Sequence, residues 1–215
     1  TNDVPMIPLY IYYSMFGFQR IGDSAWMAGD QMARGFLLGA TAGRTTLNGE
    51  GLQHEDGHSL VQAGLIPNCV SYDPTFAYEV AVVLQDGLRR MYGDQENVFY
   101  YMTLMNENYA HHAMPEGAEE GIRKGMYKLE TYTGEKAKVQ LLSSGTIMMQ
   151  VREAARMLRE DYGIGSDVFS VTSFNEIARD GQDVERYNML HPEAEQKVPY
   201  ITTLMSDAPA IAATD

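Results

Sequence analysis

Short apolar runs alternate with longer amphipathic stretches through the first hundred residues. Pro8 to Met15, Pro-Leu-Tyr-Ile-Tyr-Tyr-Ser-Met, is aromatic and β-branched and predicts a strand buried on both faces. Asp23 or Ser24 then offers a cap for a helix from Ala25 to about Leu38, with Ala25, Ala28, Met32 and Phe36 at helical spacing and Gly39 as a stop. After Pro67, Cys69 to Tyr72 predicts a short strand, and Asp73-Pro74 a helix start with Asp as cap and Pro in the first turn. That helix carries one apolar stripe, Phe76, Val80, Val83, Leu84, Leu88 and Met91, and ends naturally at Gly93. Val98 to Met105 predicts another buried strand.

The pattern breaks over Asn106 to Gly125, which is polar, acidic and Gly-bearing, and Met114-Pro115 marks the expected domain boundary. A second unit begins with a strand at Val139 to Leu142. Ser143 to Thr146 leads from it into a helix with Met148, Val151, Ala155, Leu158 and Tyr162 on one face and Gly163 at its end. Val168 to Val171 predicts the next strand, joined by a right-handed crossover. Tyr187 to Pro192 reads as turn-rich, and Ala208 to Ala213 as a last, buried strand. The expected class is α/β: a mostly parallel sheet flanked by helices over residues 1–114, then part of a second α/β domain over residues 115–215.

Composition narrows the partners. With a net charge of -13 and no basic cluster, the chain offers neither nucleic acid nor an anionic membrane a counterion-displacing surface. A single cysteine, Cys69, excludes an internal disulfide framework and suits a reducing compartment. Without a signal peptide or a run of eighteen apolar residues, the default location is cytoplasmic. The chain starts Thr1-Asn2-Asp3 and stops just after an apolar run, so it is expected to be a piece of a longer polypeptide.

The chemistry concentrates between Leu47 and Ser59, where two His, two Glu, one Asp and three Gly share thirteen positions. Such a stretch cannot form a core and suits a loop that wraps something polar. His54-Glu55-Asp56-Gly57-His58 matches the H-E-x-x-H pattern of zinc peptidases, with Glu79 or the His111-His112 pair as a third ligand. That pattern needs a helix to bring both His to one face, and an interior Gly such as Gly57 costs a helix about 1 kcal/mol. The residues therefore predict an irregular loop with no metal on it. A zinc peptidase on this loop and a non-catalytic α/β interaction module are the alternatives.

Longer motifs are more specific. Tyr12-Tyr13-Ser14-Met15-Phe16-Gly17-Phe18-Gln19-Arg20, the stretch from Gly43 to His58, Met114-Pro115-Glu116-Gly117 and Thr172-Ser173-Phe174 resemble the homodimeric bacterial type of pyruvate dehydrogenase E1, a thiamine-diphosphate enzyme. The resemblance covers essentially the whole chain. It implies most of a middle, pyrimidine-binding domain up to about Met114, followed by the first half or so of a C-terminal domain. It also implies pyruvate as substrate, thiamine diphosphate and Mg²⁺ as cofactors, a second E1 subunit, and a lipoyl domain of an E2 acyltransferase as acceptor.

Several parts of the family's apparatus are missing from this sequence. The Gly-Asp-Gly motif that holds diphosphate and Mg²⁺ belongs to the first domain; Gly29-Asp30-Gln31 and Asp180-Gly181-Gln182 only approach it. The glutamate that activates the aminopyrimidine lies before Tyr13 in the family, and no Glu stands between Thr1 and Tyr13. What carries over is an aromatic shelf for the aminopyrimidine, Tyr13 and Phe16, with Arg20 as a further cofactor-binding residue. His54 carries over as the active-site histidine that stabilises charge during decarboxylation, and Glu50 as a carboxylate on the same loop that shares a proton or orients the adduct. His58 is expected to touch substrate or to support residues that do.

Overall fold

The computed structural model describes residue 4 and residues 6–215; residues 1–3 and 5, which the expected first domain includes, lie outside the described residues. The first half builds a four-stranded, wholly parallel sheet from β1 (Leu9–Tyr13), β2 (Phe36–Ala42), β3 (Cys69–Tyr72) and β4 (Phe99–Met105), in the order β1-β2-β4-β3. Helices α1 (Phe18–Asp30), α2 (Ser59–Leu65) and α3 (Ala77–Leu88) connect the strands. After α4 (Ala118–Lys124) the chain lays down β5 (Tyr127–Tyr132), β6 (Lys138–Ser143), helix α5 (Met148–Tyr162) and β7 (Gly165–Ser170). Helices α6 (Phe174–Leu190) and α7 (Tyr200–Leu204) and strand β8 (Ala210–Ala213) complete it. The second sheet runs β5-β7-β6-β8, parallel except for β5 against β7.

The α/β class and the parallel first sheet agree with the sequence pattern, while several elements differ. The helix expected from Ala25 to Leu38 runs instead from Phe18 to Asp30, and the residues after it form β2. Left-handed Met32 (φ 54°) and Gly35 (φ 155°) turn the chain between them. Gly39 is not a helix stop but a strand glycine: a Cβ there would sit 2.7 Å from the Tyr101 hydroxyl and 3.0 Å from Ser14 Oγ. Strand β1, expected to be buried on both faces, is an edge strand with Leu9, Tyr10 and Ile11 exposed. At the other edge of the molecule β8 is exposed rather than buried, Ile211 included.

Helix α3 starts at Ala77, later than the Asp73-Pro74 cap, because Glu79 reaches back to accept the N–H groups of Thr75 and Phe76. Leu88, placed on its apolar stripe, is exposed, whereas Val83 and Met91 are fully buried, and each such burial stabilises by about 1.5–3 kcal/mol. The polar connector contains α4 and leads to β5, neither foreseen, and the turn-rich Tyr187 to Pro192 is mostly the last turn of α6.

One cluster of buried side chains joins the two sheets, from Phe36, Tyr72, Phe76 and Tyr100 to Ile122, Leu141, Met148 and Val168. On the other face of the first sheet Phe18, Ala63, Cys69 and Tyr101 pack together. Cys69 is fully buried there, and burial pushes its thiol up to about 12.

Candidate active site

In a parallel sheet the carboxyl ends of the strands are where loops converge and ligands bind. Here β1 ends at Tyr13, β2 at Ala42, β3 at Tyr72 and β4 at Met105. The chemistry-rich loop, residues 43–58, leaves β2 at this end, past a register irregularity in which Thr41 takes a left-handed φ of 57°. A β-branched residue seldom adopts that conformation, so the turn into the loop is strained.

The loop is irregular, as its glycines predict: two short 3-10 turns, Thr45–Leu47 and Leu52–His54, and then α2. His54 closes the second turn, while His58 stands outside it at the start of α2, so no helix runs through both. The zinc-peptidase arrangement lacks the helix it requires. Among the described residues no group of three or more His, Cys, Asp or Glu side chains converges as metal ligands.

Tyr13, Phe16 and His54 come together. The Tyr13 and Phe16 ring centroids are 5.4 Å apart, and His54 stands edge-on to both, at 5.4 Å from Tyr13 and 6.3 Å from Phe16. The Tyr13 hydroxyl and His54 Nδ1 are 2.9 Å apart. Arg20, one turn into α1, lays its guanidinium 4.5 Å over the Phe16 ring. All three rings are half-buried, open enough to meet a ligand and covered enough to exclude part of the water. Glu50 and His58 are not drawn into this group; both are exposed, and neither side chain forms a hydrogen bond to a described residue.

Residues to which the sequence assigns no part in the site hold it in shape, Asp73 among them, which is not the helix cap that its position before Pro74 predicts. The Asp56 carboxylate accepts the Ser14 hydroxyl through Oδ2 and the N–H groups of His58 and Ser59 through Oδ1, at 3.1 Å each. It thereby caps α2 and ties the His54 loop to the segment between Tyr13 and Phe16. An Asp two and three residues before the first N–H groups of a helix is the signal that would have marked it. Ser14 Oγ lies 3.4 Å from the Tyr101 hydroxyl, whose own burial raises its pKa well beyond the usual phenol range. Deeper, Asp73 accepts Thr103 Oγ1 at 2.5 Å and Ser144 Oγ at 2.7 Å, one donor from β4 and one just past β6. Burial raises its pKa in spite of both donors. Nothing in the spacing of Asp73 predicts this, since its partners are far away in sequence.

An apolar hollow of about 350 Å³ opens at the opposite end of the first sheet, lined by Pro8, Tyr10, Ile21, Phe36 and Phe99 among others. It carries none of this chemistry.

Transketolases are among the solved structures that share this architecture. The Campylobacter jejuni enzyme superposes with a TM-score of 0.72 at 16% identity, covering 97% of this chain and 28% of that one. A split-gene transketolase superposes with a TM-score of 0.58 at 14% identity, covering 97% and 66%. At such identities the likeness establishes the fold alone, which is transketolase-like. Sequence goes further. The family model for the pyruvate dehydrogenase E1 component middle domain matches residues 1–112, and that for the transketolase-like C-terminal domain matches residues 125–214. The Escherichia coli K12 pyruvate dehydrogenase E1 component is 71% identical over all of this chain and 24% of its own length; the Pseudomonas aeruginosa one is 61% identical over all of this chain and 25% of its own. The chain belongs to the pyruvate dehydrogenase E1 component family, and it spans about a quarter of the length of the curated relatives it matches.

Proposed function

We propose that this chain furnishes the pyrimidine-side wall of a pyruvate dehydrogenase E1 site. The full enzyme would decarboxylate pyruvate on thiamine diphosphate and Mg²⁺ as a homodimer and pass the two-carbon unit to the lipoyl domain of an E2 acyltransferase. Residues 1–114 then serve as the middle domain and residues 115–215 as part of the C-terminal domain. The observation that carries this reading is the cluster of Tyr13, Phe16 and His54 at the carboxyl ends of a parallel sheet, in a chain of this family.

The donor set fits half of the cofactor. Tyr13 and Phe16 offer the flat apolar surface a heteroaromatic ring stacks on, and Arg20 braces Phe16 from α1. No Gly-Asp-Gly motif occurs in the sequence, so the diphosphate and Mg²⁺ ligands have to come from elsewhere in the full-length enzyme. When bound, thiamine diphosphate supplies the carbon nucleophile and electron sink for breaking a carbon–carbon bond.

His54 manages the proton and the charge. The Tyr13 hydroxyl and His54 Nδ1 are within hydrogen-bond distance; in the tautomer in which the phenol donates to Nδ1, the imidazole carries its proton on Nε2 and can offer it to oxygen as negative charge develops there. Asp56 and Ser14 keep the imidazole in register with the shelf. Glu50 is the exposed carboxylate of the same loop that exchanges a proton with substrate or orients the adduct, and His58 is the substrate-side candidate at the start of α2.

The test is His54→Ala in a full-length E1 that contains this sequence. Turnover should fall by about 10²–10³, the usual effect of losing one donor aimed at developing charge, with little change in thiamine diphosphate affinity. Equal losses in turnover and affinity would place His54 on the cofactor instead.

A further inference from the structure

The loop that carries His54 is fastened at its far end by a residue that follows the last strand of the second sheet. The Asp215 carboxylate, just beyond β8, accepts the backbone N–H groups of Arg44 and Thr45, the Thr45 hydroxyl at 2.6 Å and the Thr146 hydroxyl at 2.8 Å. Three of those four donors lie at the beginning of the His54 loop; the fourth is in the turn before α5. Burial alone would raise this carboxyl's pKa, but the four donors outweigh it and hold it below the usual range. Gly43 permits the approach. Its φ is 101°, and a Cβ would come within 2.8 Å of Thr146 Cγ2.

From this anchor a relay of backbone bonds leads to His54. The Leu47 N–H donates to Arg44 O, the Glu50 and Gly51 N–H groups donate to Leu47 O, and the His54 N–H donates to Gly51 O. Each turn starts where the one before it closes, and Leu47 is fully buried midway. At the near end Asp56 holds Ser14, His58 and Ser59. The segment is therefore a strut fixed at both ends, with His54 close to the near one. Loops have low local stability unless tied down in this way.

We infer that Asp215 is a positioning residue, through which the second sheet sets where His54 stands relative to Tyr13 and Phe16. For its consequence in turnover this rests on the role of His54 given above; the mechanical part does not.

The experiment uses full-length E1 containing this sequence, with Asp215→Ala, His54→Ala and the double variant, and Thr45→Ser as a control that keeps the hydroxyl. Amide hydrogen exchange in peptides covering Leu47 to Glu55 should speed up roughly tenfold or more in Asp215→Ala, since hydrogen bonds to a charged group are lost at the anchor. Peptides from β4 and the Thr45→Ser variant should exchange at the parent rate. Asp215→Asn keeps the side-chain volume and one acceptor, and should show an intermediate acceleration if alanine disrupts folding. Turnover of Asp215→Ala should fall with thiamine diphosphate affinity kept, and adding the substitution to His54→Ala should cost nothing more. Acceleration confined to Arg44 and Thr45, or fully additive losses in the double variant, would overturn the inference. If His54→Ala alone leaves turnover unchanged, the functional reading fails while the exchange data still decide whether Asp215 holds the strut.

Discussion

Glu79 is a carboxylate with no exposed surface, at the start of α3 and against the second sheet. Its Oε2 accepts the Thr75 and Phe76 N–H groups, and its Oε1 accepts the Tyr127 and Ser170 hydroxyls at 2.6 Å each. Glu79→Ala strands both backbone donors and leaves a void; the two hydroxyls can turn elsewhere, Tyr127 toward Tyr78 at 2.8 Å. Two buried donors at about 1–3 kcal/mol each, with the void added, put the loss at about 3–5 kcal/mol. Glu79→Gln keeps a carbonyl for the two N–H groups and presents its amide to hydroxyl oxygens that also accept, so about 1 kcal/mol is the expected loss.

The decisive measurement at Glu79 is the pH dependence of that difference. Burial raises the Glu79 pKa, and the donors from Ser170, Tyr127, Phe76 and Thr75 oppose it without cancelling it. For an acid raised in the folded state, the contribution to stability is full below the unfolded value of about 4.3 and is lost as pH climbs through the folded value. Gln does not titrate. In urea unfolding followed by circular dichroism, the advantage of the parent chain over Glu79→Gln should therefore shrink from pH 4 toward pH 8. An advantage that grows over that range would mean that the four donors depress the folded pKa and that burial has lost the contest.

In the full-length enzyme, Tyr13→Phe should keep the stacking surface but remove the partner of His54 Nδ1, lowering turnover by about tenfold, the kinetic equivalent of one ordinary hydrogen bond; an unchanged kcat would show that the phenol does not set the imidazole. The 215-residue chain alone should not bind thiamine diphosphate tightly, because stacking of about 1 kcal/mol cannot meet an association cost of about 4 kcal/mol or more; calorimetric titration with Mg²⁺ present checks this, and micromolar affinity would contradict it.

Much of the architecture was legible because it is written in local periodicity. The stripe of α5 with left-handed Gly163 behind it, and the apolar runs of β3, β4 and β6, are self-declaring. Strand β2 was not, since Phe36 continues a helical spacing that ends only where Met32 and Gly35 turn left-handed. Burial was misjudged at β1 and β8 for a different reason: an apolar run says that a strand seeks cover, not that this stretch of chain supplies it. The motifs name Tyr13, Phe16, Arg20 and His54, and the fold brings those four side chains together. Asp56 escaped although its place two and three residues before the His58 and Ser59 N–H groups is a local signal; Asp73 and Asp215 escaped because their work is defined by partners up to 171 positions away, a distance at which spacing carries no information.

Cys69 turns the molecule into its own recorder. Only the thiolate reacts with alkylating reagents, and a buried thiol with a pKa of about 12 presents almost none near neutrality. Its side chain packs with Phe18, Ala63, Phe99 and Tyr101 under α1 and α2, and Arg179, on α6, donates to the Cys69 carbonyl at 2.8 Å and to that of Ile66 at 3.1 Å, so a reagent reaches the sulfur only when this packing opens. The labelling rate, divided by that of a free cysteine, is then a stopwatch for the moments when the helices on that face of the first sheet let go of it, read at a single natural atom and without any substitution in the chain.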